Sequence, residues 1–233
     1  MKKIIISAIL LAAASIGAVY FKSTHIYMNK NFYSKDEKEM WVFAEDKDFS
    51  TKKLNQFTEL ETLNVENVND DTFEDFGDFK ELSRIFFINS ELYTSTTKLN
   101  SYDKLEYAQF DDSEVDLKGV CLPNLTDISF HNCNVYNISA LKECAKLDNI
   151  SLEKTLVYDS IFRVDNKYVI KDSSVFADFD TVVNLNLDNI VVEDISGFLE
   201  MDALRSIGGL RKNSLSDEQS AELEAHGIKV YYR

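Results

Sequence analysis

A seven-residue phrase recurs along the chain: LNQFTEL (54–60), FGDFKEL (76–82), LNSYDKL (99–105), GVCLPNL (119–125), LKECAKL (141–147), FADFDTV (176–182) and FLEMDAL (198–204). Its last apolar residues are Leu60, Leu82, Leu105, Leu125, Leu147, Val182 and Leu204, so the steps are 22, 23, 20, 22, 35 and 22 residues. Self-similarity near this period predicts a solenoid, in which each coil buries its apolar side only against its neighbours. Such a scaffold usually binds rather than catalyses.

A second apolar rhythm follows each phrase. From Leu125 it runs Leu125, Ile128, Phe130, Cys133, Val135; from Leu82 it runs Leu82, Ile85, Phe87, Ser90, Leu92; from Leu147 it runs Leu147, Ile150, Leu152, Thr155, Val157. The middle of the pattern has period 2, which predicts a short strand with alternate side chains turned inward. One such strand cannot bury its apolar face, but stacked parallel copies can. The returning segment has its own inward positions, Val135, Ile138, Leu141 and Cys144 in one copy and Val192, Ile195, Phe198 and Met201 in another.

Over residues 54–210 this pattern resembles the leucine-rich repeat family. The 22-residue step, with VYNISAL (135–141) and VEDISGF (192–198) after the strand, is most similar to the short bacterial repeats of the internalin type. The resemblance implies a curved parallel-β solenoid of α/β type, with about seven repeats and terminal caps, that presents its concave strand face to a protein or glycan. The chain departs from the family at the ninth repeat position. Asn or Cys is usual there, but here the residues are Val68, Ser90, Ser113, Cys133, Thr155 and Ile190. The 35-residue step also inserts about 13 residues within 154–176. The inserted stretch reads as a hairpin, with Tyr158–Val164 and Tyr168–Val175 as arms around Asp165-Asn166.

The flanks divide the rest of the chain. Met1-Lys2-Lys3 precedes Ile4–Phe21, 18 residues without a charge. Residues 1–22 therefore read as an export signal, serving either as a cleaved signal peptide or as an uncleaved anchor. With Lys2 and Lys3 kept inside, the remainder lies outside the membrane, in an organism of bacterial type. Residues 23–53 read as a polar spacer followed by a capping strand at Met40–Ala44. Residues 211–233 read as a closing cap, a helix over Ser216–His226 started by Ser216 and Asp217, a stop at Gly227, and a last strand at Ile228–Tyr232.

If the strands stack in register, their outward residues form columns about 4.8 Å apart. One column is Thr62, Arg84, Tyr107, Asp127, Asn149 and Asn184; the next is Asn64, Phe86, Gln109, Ser129, Ser151 and Asn186; the third is Glu66, Ile88, Asp111, His131, Glu153 and Asp188. Most of these side chains are small, polar or acidic. Aromatic and Arg residues among small polar ones are the usual makings of a binding hot spot. The expected ligand-binding residues are accordingly Arg84, Phe86, Tyr107, Asp111, Asp127 and His131.

Little in the sequence points to catalysis. His25, His131 and His226 are far apart, and no H-E-x-x-H, G-x-S-x-G, phosphate-cradling loop or C-x-x-C is present. No metal or cofactor is expected. Cys121, Cys133 and Cys144 fall at repeat positions that turn inward, as small core hydrophobes. The net charge of −15 argues against nucleic acid. The reading is a non-catalytic binding module, for recognition, adhesion or scaffolding. It would act outside the cytoplasm, with a protein partner first and a glycan second, and touch the membrane only through its N-terminal segment. The alternatives are a hydrolase using acidic residues of the strand face and a purely structural envelope protein.

Overall fold

A computed structural model describes residues 18, 21–158 and 160–233. The export segment expected at residues 1–22 falls almost wholly outside the described residues. No helix among the described residues is long and apolar enough to cross a membrane.

Two sheets carry the architecture. An antiparallel hairpin of β1 (His25–Met28) and β2 (Asn31–Ser34) stands ahead of them. The larger sheet holds β3 (Glu39–Phe43), β4 (Thr62–Glu66), β5 (Arg84–Ile88), β7 (Tyr107–Asp111), β9 (Asp127–His131), β11 (Asn149–Glu153), β15 (Asn184–Asp188), β17 (Ser206–Leu210) and β18 (Lys229–Tyr232). They lie side by side in that order, and every pairing is parallel. The smaller sheet is built from β6 (Glu91–Leu92), β8 (Glu114–Asp116), β10 (Asn134–Tyr136), β12 (Leu156–Val157), β13 (Ile161–Val164), β14 (Lys167–Ile170) and β16 (Ile190–Val192). The chain alternates between the sheets and returns through 3-10 turns such as Ser95–Ser101 and Ile138–Glu143, or through short helices. These helices are α1 (Thr51–Leu54), α2 (Asp70–Glu74) and α3 (Ser196–Glu200).

The period-2 pattern decides which side chains enter the core. Ile85 and Phe87, Ala108 and Phe110, Ile128 and Phe130, and Ile150 and Leu152 are all buried, as are the phrase-ending Leu82, Leu105, Leu125 and Leu147. One buried cluster joins them to side chains of the returning segments. Within it Phe87, Phe110 and Phe130 stack nearly parallel, with centroids 5.1 and 5.4 Å apart. Adjacent coils thereby interlock through rings as well as through backbone.

Leaving the larger sheet requires a reversed backbone after six of its strands, β4, β5, β7, β9, β11 and β15. Asn67, Asn89, Asp112, Asn132, Lys154 and Asn189 each follow a strand with φ between 48° and 62°. Asn and Asp tolerate this left-handed region best among non-glycine residues, which explains why five of these six positions carry them. One residue after each of these lies the ninth repeat position, where Ser90, Ser113 and Thr155 take the place of the usual Asn or Cys. Ser90 Oγ accepts from Val68 N (3.2 Å) and donates to Ile88 O (3.0 Å); Ser113 Oγ accepts from Ser90 N (3.0 Å) and donates to Asp111 O (2.7 Å). Thr155 Oγ1 accepts from Cys133 N at 3.4 Å. Buried hydroxyls thus satisfy backbone N–H groups from coil to coil, which meets the requirement that buried polar groups be paired.

Two carboxylates brace the turns in the same way. Asp70 accepts from the backbone N–H of Tyr93, Thr94 and Ser95. Asp194 accepts from Ser173 N (2.7 Å), Ser173 Oγ (2.7 Å) and Ser196 N (3.1 Å). Burial opposes ionisation of Asp194, but the hydrogen bonds from Ser173 and Ser196 outweigh it and hold the carboxyl at about 2. Close packing is acute beside it: a Cβ on Gly197 would stand 1.9 Å from the Ser173 carbonyl oxygen.

The expected hairpin in 154–176 is present as β13 and β14, with shorter arms than the sequence suggested. Asp165 and Asn166 both have positive φ (47° and 60°), the requirement of a type I′ turn. Residues 211–233 hold α4 (Asp217–Ala225), opened by a Ser216–Gln219 capping box, and then β18 beside β17. Two expectations are corrected. The stretch read as a spacer, 23–38, contains the β1–β2 hairpin, whose Ile26 and Met28 are buried in the core and whose Asn29 Nδ2 donates to Phe43 O at 2.9 Å. Cys121 is exposed rather than inward, whereas Cys133 and Cys144 are buried. Burial pushes the Cys133 thiol up to about 12, so at neutral pH it behaves as a hydrophobe.

Candidate functional site

Strand register fixes the outward rows of the larger sheet. Glu39, Thr62, Arg84, Tyr107, Asp127, Asn149, Asn184 and Ser206 pair in sequence from β3 to β17. Two residues on, Trp41, Asn64, Phe86, Gln109, Ser129, Ser151, Asn186 and Gly208 form the middle row. The third row runs Phe43, Glu66, Ile88, Asp111, His131, Glu153 and Asp188.

Arg84, Phe86 and Tyr107 meet. The Arg84 guanidinium carbon lies 5.7 Å from the Phe86 ring centre and 5.3 Å from that of Tyr107, and the two rings are 5.3 Å apart. These are cation–π distances, and the arrangement holds a flexible cation against two rings tilted 40° to each other. Burial raises the Tyr107 hydroxyl above its ordinary value. That hydroxyl donates to Gln109 Oε1 at 2.6 Å, and Gln109 Nε2 donates on to Asp111 Oδ2 at 2.8 Å. His131 lies beyond, with Nδ1 3.8 Å from Asp111 and Nε2 3.6 Å from Glu153.

No family model matches the chain, and no curated protein matches it. Among solved structures, an internalin (inlF) from Listeria monocytogenes superposes with a TM-score of 0.53 at 16% sequence identity, over 82% of this chain and 52% of that one. The fold is leucine-rich repeat. An internalin C2 from the same species aligns at TM-score 0.44 and 15% identity, over 78% of this chain and 83% of that one. The chain spans about half the length of the first internalin. Likeness at these identities concerns fold.

On this leucine-rich-repeat sheet the expected site residues do not form one cluster. Arg84, Phe86 and Tyr107 make one group, and Asp111 with His131 makes a second beside it. Asp127 is next to Tyr107 in register, yet its oxygens are committed: Oδ1 accepts from Asn149 Nδ2 and Oδ2 from Thr126 Oγ1, both at 2.7 Å. That bond belongs to a ladder in which Ser206 Oγ donates to Asn184 (2.6 Å) and Asn184 donates to Asn149 (2.9 Å). The ladder borders a shallow cavity of about 260 Å³, open where Gly208 has no side chain.

Sequence reasoning missed Trp41 and Phe43, which it assigned to a capping strand. They are 47% and 42% exposed, stack at 6.4 Å, and stand in the same outward rows, with Asn64 and Glu66 of β4 between them and β5. The pairing with β4 decides their direction: Met40 and Val42 are buried in register with Leu63 and Val65, which turns Trp41 and Phe43 outward.

Proposed function

We propose that the chain is a non-catalytic recognition module, exported across the membrane and either tethered or released by residues 1–22, that binds a protein through its strand face. The observation that carries this reading is the aromatic and cationic group on the outward rows of β3, β5 and β7: Trp41, Phe43, Arg84, Phe86 and Tyr107. Large rigid rings and an Arg are the side chains that dominate interface energetics. They project here from a regular parallel sheet, so their spacing is set before a partner arrives and little ordering cost remains. Asp111 and His131 supply polar contacts at the edge of the group. A glycan is the second partner class, and the uncharged run Ile4–Phe21 supports action outside the cytoplasm.

Capture from an envelope extract tests the proposal, with the full chain as bait beside a variant carrying Arg84→Ala, Phe86→Ala and Tyr107→Ala. Circular dichroism establishes first that both are equally folded. A protein held by the parent and lost by the variant is the expected result. Equal capture by both would remove the strand face from consideration. Protease accessibility of the chain on intact cells tests the export half separately.

A further inference from the structure

A second site lies away from the outward rows, where the inserted hairpin meets the turns that leave β11, β15 and β17. A cavity of about 660 Å³ opens there, within the size range of small-ligand sites. Its wall carries Lys154, Arg163, Lys167, Arg211 and Lys212, and no carboxylate. In a chain with 40 acidic and 25 basic side chains, this is an inversion of the average surface.

The cations are largely uncommitted. Lys154 shares Glu153 at 3.6 Å and Arg163 touches Asn166 at 3.4 Å, but Lys167, Arg211 and Lys212 make no ion pair among the described residues. Asp188, which precedes the lining residue Asn189, is ion-paired with the Arg233 guanidinium and feels Arg211 and Lys154 only as weaker charges farther off. A concentration of positive charge inside a concavity focuses the field and attracts anions, the more so against an acidic background. Guanidinium and ammonium groups recognise sulfate, phosphate and carboxylate through charge-assisted hydrogen bonds.

The rest of the wall narrows the class. Asn189, Asn213 and Ser214 offer neutral donors and acceptors, while Tyr168 and Val191 offer apolar surface. Neutral amides beside a ring suit hydroxyl groups and the C–H face of a sugar. An acidic peptide would be expected to add to a strand edge, yet β14 is paired on both sides, with β13 and β16, and β13 meets β12 as well. β16 is the edge strand at this end of the sheet, and its outer side is met by the 211–214 turn, where Val192 N donates to Ser214 O at 2.8 Å. We infer that this cavity binds an anionic saccharide, one that carries sulfate, phosphate or uronate groups. The role of the inserted hairpin is to supply Arg163 and Lys167 to it. This site stands independently of the protein-binding strand face.

Calorimetric titration of the full chain tests the inference, with three hexasaccharides as probes: fully sulfated, galacturonate, and neutral. At least one charged hexamer should bind while the neutral one does not, and its affinity should weaken about tenfold or more on raising salt to about 0.3 M. The doubles Arg163→Glu/Lys167→Glu and Arg211→Glu/Lys212→Glu should each weaken binding about tenfold or more, because each removes two charge-assisted contacts. Lys80→Glu/Lys118→Glu, the same charge change on exposed lysines elsewhere, should weaken it far less. The inference fails if no hexamer binds or if the neutral one binds equally. It fails too if the distant double costs as much as the cavity doubles, or if a hexaglutamate peptide binds as tightly as the charged sugar. Circular dichroism of each double guards against misfolding. Should the hairpin double not fold, the Arg211/Lys212 double decides alone.

Discussion

The two halves of the larger sheet share a backbone plan and differ in what they turn outward. From β3 to β7 the outward rows hold Trp41 stacked on Phe43 and, across β4, Arg84 over Phe86 and Tyr107, two groups that leave faces exposed. From β9 to β17 they hold Asp127, Asn149, Asn184 and Ser206, which hydrogen-bond along the row and satisfy each other. The inward residues on both sides are the same apolar types. A repeat scaffold can therefore keep its core periodic while one stretch of its surface is closed upon itself and the adjoining stretch is left open for contact. Self-satisfaction is the difference between them.

The largest expected effect strikes both halves together. Phe110 is fully buried between Phe87 and Phe130, at the level where the coils interlock. Phe110→Ala should destabilise the chain by about 3–5 kcal/mol through lost burial and the cavity left behind. Denaturant unfolding measures it. A single cooperative loss of both halves is the expected form; a biphasic curve would show that the halves unfold separately.

The next effect separates them. Trp41→Ala and Phe86→Ala should each weaken capture of a strand-face partner by about 2 kcal/mol, or about 30-fold, since ring truncations at hot spots cost that much. The midpoint of unfolding should scarcely move, because Trp41 is exposed and Phe86 is half-buried on the open face. A large stability loss with unchanged binding would make these rings structural.

A third test reaches the braces behind the sheet, Asp70 in the first half and Asp194 in the second. Both carboxyls lie below the ordinary range, because their hydrogen bonds outweigh a burial effect of opposite sign. A depressed folded-state pKa contributes stability that is present above the unfolded value of about 3.9 and is lost as pH falls through the folded value. For Asp194 that window runs from about 4 down to about 2. Asp194→Asn should lose about 1.5 kcal/mol at neutral pH, at the low end for bonds to a charged group because the site is partly solvated. Its unfolding free energy should fall less steeply than the parent's between those pH values. An unchanged acid slope would remove Asp194 from the account.

Much of this was legible in the sequence, and the exceptions have physical causes. The phrase ending at Leu82, Leu105 and Leu125 set the period, and the alternation after it placed Ile128 and Phe130 inward without ambiguity. Asp165-Asn166 carried the turn chemistry of its hairpin. The β1–β2 hairpin was missed because HIYM and NFYS place rings on exposed positions, so no clean alternation marks Ile26 and Met28 as buried. Trp41 and Phe43 were missed because a run such as MWVFA has no readable face until its neighbour fixes the register. The cationic cavity had no local signature at all. Its residues come from separate turns and a hairpin, brought together only when coils of unequal length stack.

The smallest effect addresses the closed half directly. Asn149 occupies the centre of its ladder, donating to Asp127 and accepting from Asn184. Asn149→Ala would leave Asp127 Oδ1 and Asn184 Nδ2 to water rather than buried and unpaired, since both neighbours are solvent-accessible. The loss should therefore be about 0.5–1 kcal/mol, the net value of an ordinary hydrogen bond rather than the cost of orphaning one. Strand-face capture should be unaffected. Asn149→Asp sharpens the test, because it sets a second carboxylate against Asp127 in the same row, where like charges directly opposite repel. Its cost should exceed that of alanine and shrink as salt is raised. If alanine at 149 instead abolished partner capture, the polar ladder would belong to the recognition surface, and the division of the sheet into an open and a closed half would have to be abandoned.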